Sequence, residues 1–235
     1  TDATGCFNAD IIVDKPGGQV NLDSALVMDA ASQDLTLTNG TFYTAGNNLT
    51  ISGSGGIFSN NATLKVNGDE TLTFTKDTDS GTVEYAGSGT YASLNYGNNY
   101  YHILISGGGS FTAAAATDVN GNFSQTAGTF VAPATTLNVA GNFNHSSGTF
   151  THNSGTVILD GTHQTISGNT TFNNLTKTVT LADTLTFTAG TTQTIIDTTT
   201  LQGAPLQLLS LRSSPTPTPT RWNIDPQVTR AISYV

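Results

Sequence analysis

The strongest constraint on this fold is a stretch of sequence that repeats after twenty residues. Residues 121–123, Gly-Asn-Phe, return at 141–143, and residues 128–130, Gly-Thr-Phe, return at 148–150. Self-similarity at a short fixed period is typical of solenoids, in which each turn buries its inward side chains on the turns above and below. None of the repeated residues carries catalytic chemistry.

Weaker echoes occur at longer offsets. Residues 40–42, Gly-Thr-Phe, match 128–130 at an offset of 88, and Ser80 to Val83 match Ser154 to Val157 at an offset of 74. These echoes indicate an old, duplicated segment.

Apolar and polar residues alternate over short stretches, for example at 35–38, 72–75 and 185–188. A period of two predicts β-strands, and frequent Gly, Asn, Asp and Ser residues supply the turns between them. We therefore predict an all-β protein, specifically a right-handed parallel β-helix (β-solenoid) with roughly 20 residues per turn. A β-sandwich is the alternative, although its strands have no reason to repeat sequence at twenty residues.

Aromatic residues mark the predicted core. In a solenoid with this period, Phe123 would lie over Phe143 and Phe130 over Phe150. Each pair would be separated by about 4.8 Å, the distance between neighbouring strands. We predict that these four residues form ladders inside the coil.

The two ends of the chain lack the repeat. We predict an N-terminal cap or extension at 1–20, the solenoid at 21–211, and a Thr-Pro insertion with a C-terminal strand at 212–235. Caps are expected because an uncovered end turn exposes apolar surface and unpaired strand edges.

Charge and composition exclude several classes of function. Ionisable residues make up 10% of the chain, and the net charge is -9, which opposes binding to phosphate backbones, so we exclude nucleic acid as a partner. No apolar run is long enough for a membrane span. The single Cys6 excludes an internal disulfide. Since the chain begins at Thr1, we expect a processed mature protein or an excised fragment.

Residues for catalysis or metal binding are sparse. Between 85 and 182 the only acids are Asp118 and Asp160, and the only Lys or Arg is Lys177, whereas polysaccharide-cleaving sites need two or three converging carboxylates or a carboxylate set with Arg or Lys. The four histidines are scattered and predict no zinc site. We predict no enzymatic activity, no metal site and no cofactor. Calcium at Asp77 and Asp79 stays open, although plain turns share their composition.

Seven Asn-x-Ser/Thr sequons are candidate glycosylation sites, although Asn- and Thr-rich sequence also produces them by chance. They lie at Asn39, Asn48, Asn61, Asn122, Asn144, Asn169 and Asn174.

The terminal segments are candidates for contacts between subunits. Residues 10–13 and 229–235 are short and β-prone. They either complete the protein's own end turns or add to the sheet of a neighbouring copy, and both interpretations stay open. The predicted contact residues are Ile11, Ile12, Trp222, Ile232 and Tyr234.

Residues 154–176, SGTVILDGTHQTISGNTTFNNLT, together with the tail at 209–235, resemble repeat-rich bacterial β-solenoid surface and filament proteins, loosely the filamentous-haemagglutinin-like adhesin stalks. The resemblance implies an extracellular or cell-surface location and a structural or adhesive role. It brings no catalytic residues with it.

These observations lead to three hypotheses. We predict a secreted structural protein that polymerises head to tail with itself into an extracellular filament through its terminal strands. The alternative is a glycan- or surface-binding adhesin domain, with exposed rings stacking on sugars at Tyr91, Tyr96, Tyr100 and Tyr101. A polysaccharide lyase or hydrolase is the third.

Overall fold

The computed structural model describes residues 9–214 and 221–235. Over these residues the chain forms 28 β-strands joined by turns, with no helix among them. Cys6, at 1–8, and most of the predicted Thr-Pro insertion, at 215–220, lie outside the described residues.

The strands are short, and most have three to five residues. In the first half they are β1 (Ile11–Asn21), β2 (Leu26–Met28), β3 (Leu35–Tyr43), β4 (Leu49–Ile51), β5 (Phe58–Asn60), β6 (Thr63–Val66), β7 (Leu72–Thr73), β8 (Thr82–Tyr85), β9 (Thr90–Tyr91), β10 (Asn99–Tyr100), β11 (His102–Ile105), β12 (Ser110–Thr112), β13 (Thr117–Val119) and β14 (Phe123–Gln125). In the second half they are β15 (Thr129–Val131), β16 (Thr136–Val139), β17 (Phe143–His145), β18 (Thr149–Thr151), β19 (Thr156–Leu159), β20 (Gln164–Ser167), β21 (Thr170–Phe172), β22 (Asn174–Thr178), β23 (Asp183–Phe187), β24 (Thr192–Ile195), β25 (Thr198–Gln202), β26 (Leu209–Ser213), β27 (Asn223–Pro226) and β28 (Thr229–Ser233).

The strands stack into long parallel sheets that run along the molecule. The largest has the order β1-β3-β6-β8-β11-β14-β17-β20-β23-β26, with β5 also paired to β3, and the second has the order β10-β13-β16-β19-β22-β25-β28. Three shorter sheets, β9-β12-β15-β18, β2-β4-β7 and β21-β24-β27, complete the turns. All pairings between these strands are parallel. The chain is therefore a β-solenoid of about nine turns with roughly 22 residues per turn, which confirms the predicted fold class and excludes an antiparallel sandwich.

The pitch in residues varies along the solenoid. In the middle, Ile103 pairs with Phe123 and Phe123 pairs with Phe143, each twenty residues on. Elsewhere the turns are wider, so that Asp183 pairs with Leu209. The twenty-residue repeat can therefore be recognised in the sequence only where no longer loop has changed the number of residues per turn.

The longer echoes do not align equivalent positions of the solenoid. Phe42 lies on β3 of the largest sheet, in a column that continues through Leu64 and Val83. Its predicted counterpart, Phe130, lies on β15 of a different sheet. The offset of 88 residues thus relates similar sequence motifs on strands of different sheets, and these strands do not stack on one another.

The core consists of inward side chains in columns. Phe123 stacks on Phe143 with ring centroids 4.8 Å apart and planes 16° apart, and Phe130 lies over Phe150 with centroids 6.0 Å apart. All four rings are buried. Because parallel strands in register place like residues one above another, the twenty-residue period produces these aromatic columns.

The sheets extend further than the predicted 21–211. Strand β1, within the predicted N-terminal extension, is the first strand of the largest sheet, where Ile11 pairs with Leu35. At the other end, β27 pairs with β24 and β28 pairs with β25. Both terminal segments thus form part of their own solenoid.

We expect Phe143→Ala to lower the free energy of unfolding by about 3–5 kcal/mol, since it removes a buried ring and leaves a cavity. Urea denaturation followed by circular dichroism measures the change. Thr149→Ala, on the exposed face of β18, is the control and should change stability by only about 0.5 kcal/mol. Equal effects of the two substitutions would contradict the ladder.

Candidate functional site

The C-terminal end of the solenoid presents three unpaired strand edges. Strands β26, β27 and β28 each stand last in their sheet, and each pairs with a strand on one side only within 9–214 and 221–235. Free strand edges carry N–H and C=O groups ready to pair with another chain. This end is therefore the first candidate interaction surface.

Apolar side chains are exposed at the same end. Ile232 continues an inward column above Leu201, yet 45% of its surface is exposed because no further turn covers it. Tyr234 and Val235 are also about half exposed, and Leu206 is exposed almost completely. Exposed apolar surface beside free strand edges is typical of contact surfaces.

The N-terminal end presents the opposite edge of the largest sheet. Strand β1 pairs only with β3, and β2 only with β4. Ile11 is half-buried and Val13 is buried, whereas Ile12 between them points outward and is 68% exposed. Asp10 and Asp14 add negative charge here, while Arg212 and Arg230 lie on β26 and β28 at the other end.

One predicted contact residue belongs to the core. Trp222 stacks on Phe187 with centroids 4.2 Å apart and planes 13° apart, so it covers the last inward column. The main chain of Tyr234 also bonds within the chain, because its carbonyl accepts a hydrogen bond from the Leu209 N–H at 3.0 Å.

The Asp77 and Asp79 segment forms a hydrogen-bonded turn. The Asp77 carboxylate accepts the N–H of Asn60 at 2.6 Å and the N–H of Asp79 at 3.2 Å, a pattern that is usual for aspartate turns. A hydrogen bond with Asp77, and the negative charge of Asp77, raise the pKa of Asp79. The calcium hypothesis is not tested by this arrangement and stays a prediction.

A cavity of about 430 Å³ adjoins this turn and contains Lys76. The ammonium lies 3.8 Å from the centroid of the Phe74 ring and donates to the Leu72 carbonyl at 2.8 Å. Burial lowers the pKa of Lys76 to about 8. Over the described ranges, no group of three or more His, Cys, Asp and Glu side chains is placed to hold a metal ion.

The prediction that four tyrosines form an exposed sugar-stacking surface is wrong for two of them. Tyr96 and Tyr100 are buried, and the hydroxyl of Tyr100 lies 2.9 Å from that of Tyr85 inside the coil. Tyr91 is half-buried and stacks on Phe111, and Tyr101 is half-buried beside His102. Tyr100 points inward as the second residue of β10, whereas Tyr96 is buried in the turn that precedes this strand.

Asparagine side chains at the corners link successive turns. The Oδ1 atom of Asn122 accepts the N–H of Asn142 at 2.8 Å, and Oδ1 of Asn142 accepts the N–H of Thr165 at 2.8 Å. Three other sequon residues accept similar bonds from the next turn: Asn48 from the Thr71 N–H, Asn169 from the Thr192 N–H and Asn174 from the Thr198 N–H. Asn39 and Asn61 are exposed, and Asn144 is half-buried. Glycosylation stays a prediction, and the bonds give four of the seven sequon asparagines a structural role.

A buried carboxylate links three turns near the N-terminal end. Glu70 is 3% exposed, and it accepts the Thr44 hydroxyl at 2.6 Å and the N–H groups of Asn67 and Gly68 at 2.6 and 2.7 Å. Asn95 donates to it from the following turn at 3.1 Å. Burial alone raises the pKa of Glu70, but these hydrogen bonds outweigh burial and hold it below its usual range. No sequence pattern indicated this role, since Glu70 lies between short strands in a polar segment.

A second buried polar cluster contains Lys177. Its side chain is fully buried, and its Nζ lies 2.8 Å from Asp183 Oδ2 and 2.8 Å from Gln164 Oε1. Burial by itself raises the pKa of Asp183, but Lys177 and nearby N–H groups lower it by more. The pKa of Asp183 is therefore below its usual range, and the carboxyl is ionised. Lys177 therefore pairs with Asp183, which lies just beyond the stretch 85–182 in which the sequence showed only Asp118 and Asp160 as acids.

A scan against protein-family models matched none, and searches of curated proteins and of solved structures found no match. Among the described residues, no helix is long and apolar enough to cross a membrane.

We expect Asn122→Ala to lower the free energy of unfolding by about 1 kcal/mol, because the Asn142 N–H loses its acceptor. Urea denaturation measures this change. Asn144→Ala, on β17 one turn further on, is the matched control and should have a smaller effect. A reversed order would contradict a structural role for Asn122.

We expect Glu70→Gln to destabilise the protein by about 1–3 kcal/mol at neutral pH, because the ionised carboxylate is the better acceptor. The pKa of Glu70 is lowered by folding, so its contribution is present above the unfolded pKa and is lost as the pH falls through the folded pKa. The difference between wild type and variant should therefore shrink in urea titrations at successively lower pH below about 4. A difference that grows on acidification would contradict the assignment.

Proposed function

We propose that this chain is a secreted structural protein, and that copies of it stack head to tail into an extracellular filament. The observation that carries the proposal is that β1 and β26 are the two free edges of one parallel sheet. Stacking β26 of one copy on β1 of the next would continue that sheet with the parallel pairing used inside each copy.

Surface chemistry at the ends supports this stacking. Ile232 and Val235 would be removed from water at a junction, and burial of apolar area favours association by about 25 cal/mol per Å² before entropic costs. The basic residues Arg212 and Arg230 at one end would approach the acidic Asp10 and Asp14 at the other, which favours head-to-tail order.

The proposed role also agrees with the shape of the solenoid. About nine turns, each one strand spacing of about 4.8 Å high, make a rod of roughly 40 Å. Thr, Ser and Asn residues are frequent on its sides, and the resemblance to bacterial surface stalks supports the extracellular location.

We expect Ile232→Lys to prevent filament formation, because a charge at this position would be buried at the junction without a partner. Negative-stain electron microscopy and sedimentation of purified protein measure assembly. Thr171→Lys adds the same charge on the exposed side of β21 and should assemble like wild type. A shortened chain lacking 229–235 should also fail to assemble.

Circular dichroism of each variant separates loss of folding from loss of assembly. Wild-type protein that stays as single rods at all concentrations would overturn the proposal. Equal assembly of Ile232→Lys and Thr171→Lys would exclude this end as the junction.

A further inference from the structure

The buried Lys177 and Asp183 pair has the geometry of a self-processing site. We propose that these two side chains condense into an intramolecular amide, so that the mature protein carries a covalent Lys–Asp cross-link between β22 and β23. This cross-link would form with or without filament assembly. Three features of the cluster favour it: an oriented amine, a carboxyl carbon open to attack, and the exclusion of solvent.

The amine is oriented by two fixed acceptors. Lys177 Nζ donates to the Gly161 carbonyl and to Gln164 Oε1 at 2.8 Å. Gln164 is itself held, because its Nε2 donates to the carbonyls of Val139 and Gly141. The third N–H therefore points at Asp183 Oδ2, 2.8 Å away. When that proton moves to Oδ2, the lone pair of nitrogen faces the carboxyl group.

The carboxyl group has a donor in place for developing negative charge. Asp183 Oδ1 accepts the His163 N–H at 2.8 Å, and the Thr184 N–H also bonds to the carboxylate. Backbone donors at this position stabilise the oxyanion that forms when an amine attacks a carboxyl carbon. Within the described residues, Asp183 Oδ2 has no hydrogen-bond donor other than the Lys177 ammonium with which it pairs, so it is free to leave as water.

The reaction balances without a co-reactant. Lys177 Nζ forms a bond with Asp183 Cγ, and the bond from Cγ to Oδ2 breaks. Of the three ammonium protons, two leave with Oδ2 as one water molecule and the third remains on the amide nitrogen. The ion pair and the amide both have zero net charge. A cavity of about 220 Å³ beside Asp183, lined also by Asp160 and Leu181, receives the water.

Burial favours the product. Lys177 is fully buried and the Asp183 side chain is 3% exposed, so the ion pair is maintained against the cost of removing two charges from water. An amide removes both charges. Holding the reacting groups in contact also supplies an effective concentration of about 10⁵–10⁸ M in favourable cases.

Intact-mass spectrometry of the purified full chain tests the proposal. We expect a mass lower than that of the sequence by one water molecule, with a tryptic map in which the peptides of Lys177 and Asp183 are joined and Lys177 is not cleaved. Asp183→Asn should form the same amide and lose ammonia instead of water. Lys177→Arg keeps the positive charge and should show the full sequence mass.

The controls separate this bond from other losses of water. A water deficit that persists in Lys177→Arg would place the loss elsewhere, for example in a succinimide at Asp160-Gly161, and would overturn the proposal. So would a wild-type map with free Lys177. Lys65 and Glu84 form an ion pair at 3.0 Å with both side chains partly exposed, and they should remain unlinked in the same map.

Discussion

The structure depends on parallel pairing in register between successive turns. Each inner strand of a sheet pairs with the strand one turn earlier and the strand one turn later, so a core residue packs between the residues that hold its position in those two turns. Phe123 between Ile103 and Phe143 is an example. This constraint explains the repeated sequence, because a side chain that fits one turn fits the next. It also explains the lack of charge, since a charged side chain in a column would be buried between turns.

The same constraint makes the exceptions informative. Glu70 and Lys177 are buried charged groups, and each bonds with acceptors or donors from more than one turn. Both link turns that the ladder of main-chain hydrogen bonds alone would join less firmly. The corner asparagines act similarly at the surface, since their side-chain oxygens accept main-chain N–H groups of the next turn.

A solenoid with free edges at both ends is suited to assembly. Inside the molecule each turn pairs with a turn above it and a turn below it, and only the first and last turns lack one of these two neighbours. Strands β1 and β26 belong to the same sheet, so the contact proposed between copies repeats one that the chain already makes internally. A cross-link between Lys177 and Asp183 would join β22, two strands from the free edge β28, to β23, one strand from the free edge β26.

The sequence alone determined the fold class and the aromatic columns, because a period of two specifies strands and a period of twenty specifies their stacking. Phe123, Phe130, Phe143 and Phe150 could be placed because no loop interrupts the turns between them. Only the tertiary structure decided which tyrosines are buried, since Tyr96 and Tyr100 lie where the repeat is irregular. It alone also revealed Glu70 and the Lys177–Asp183 pair. Glu70 bonds with Thr44 and Asn95 of neighbouring turns, and variable loop lengths conceal from the sequence that these residues meet. Lys177 and Asp183 lie on consecutive strands, but alternation alone does not show that both side chains are buried.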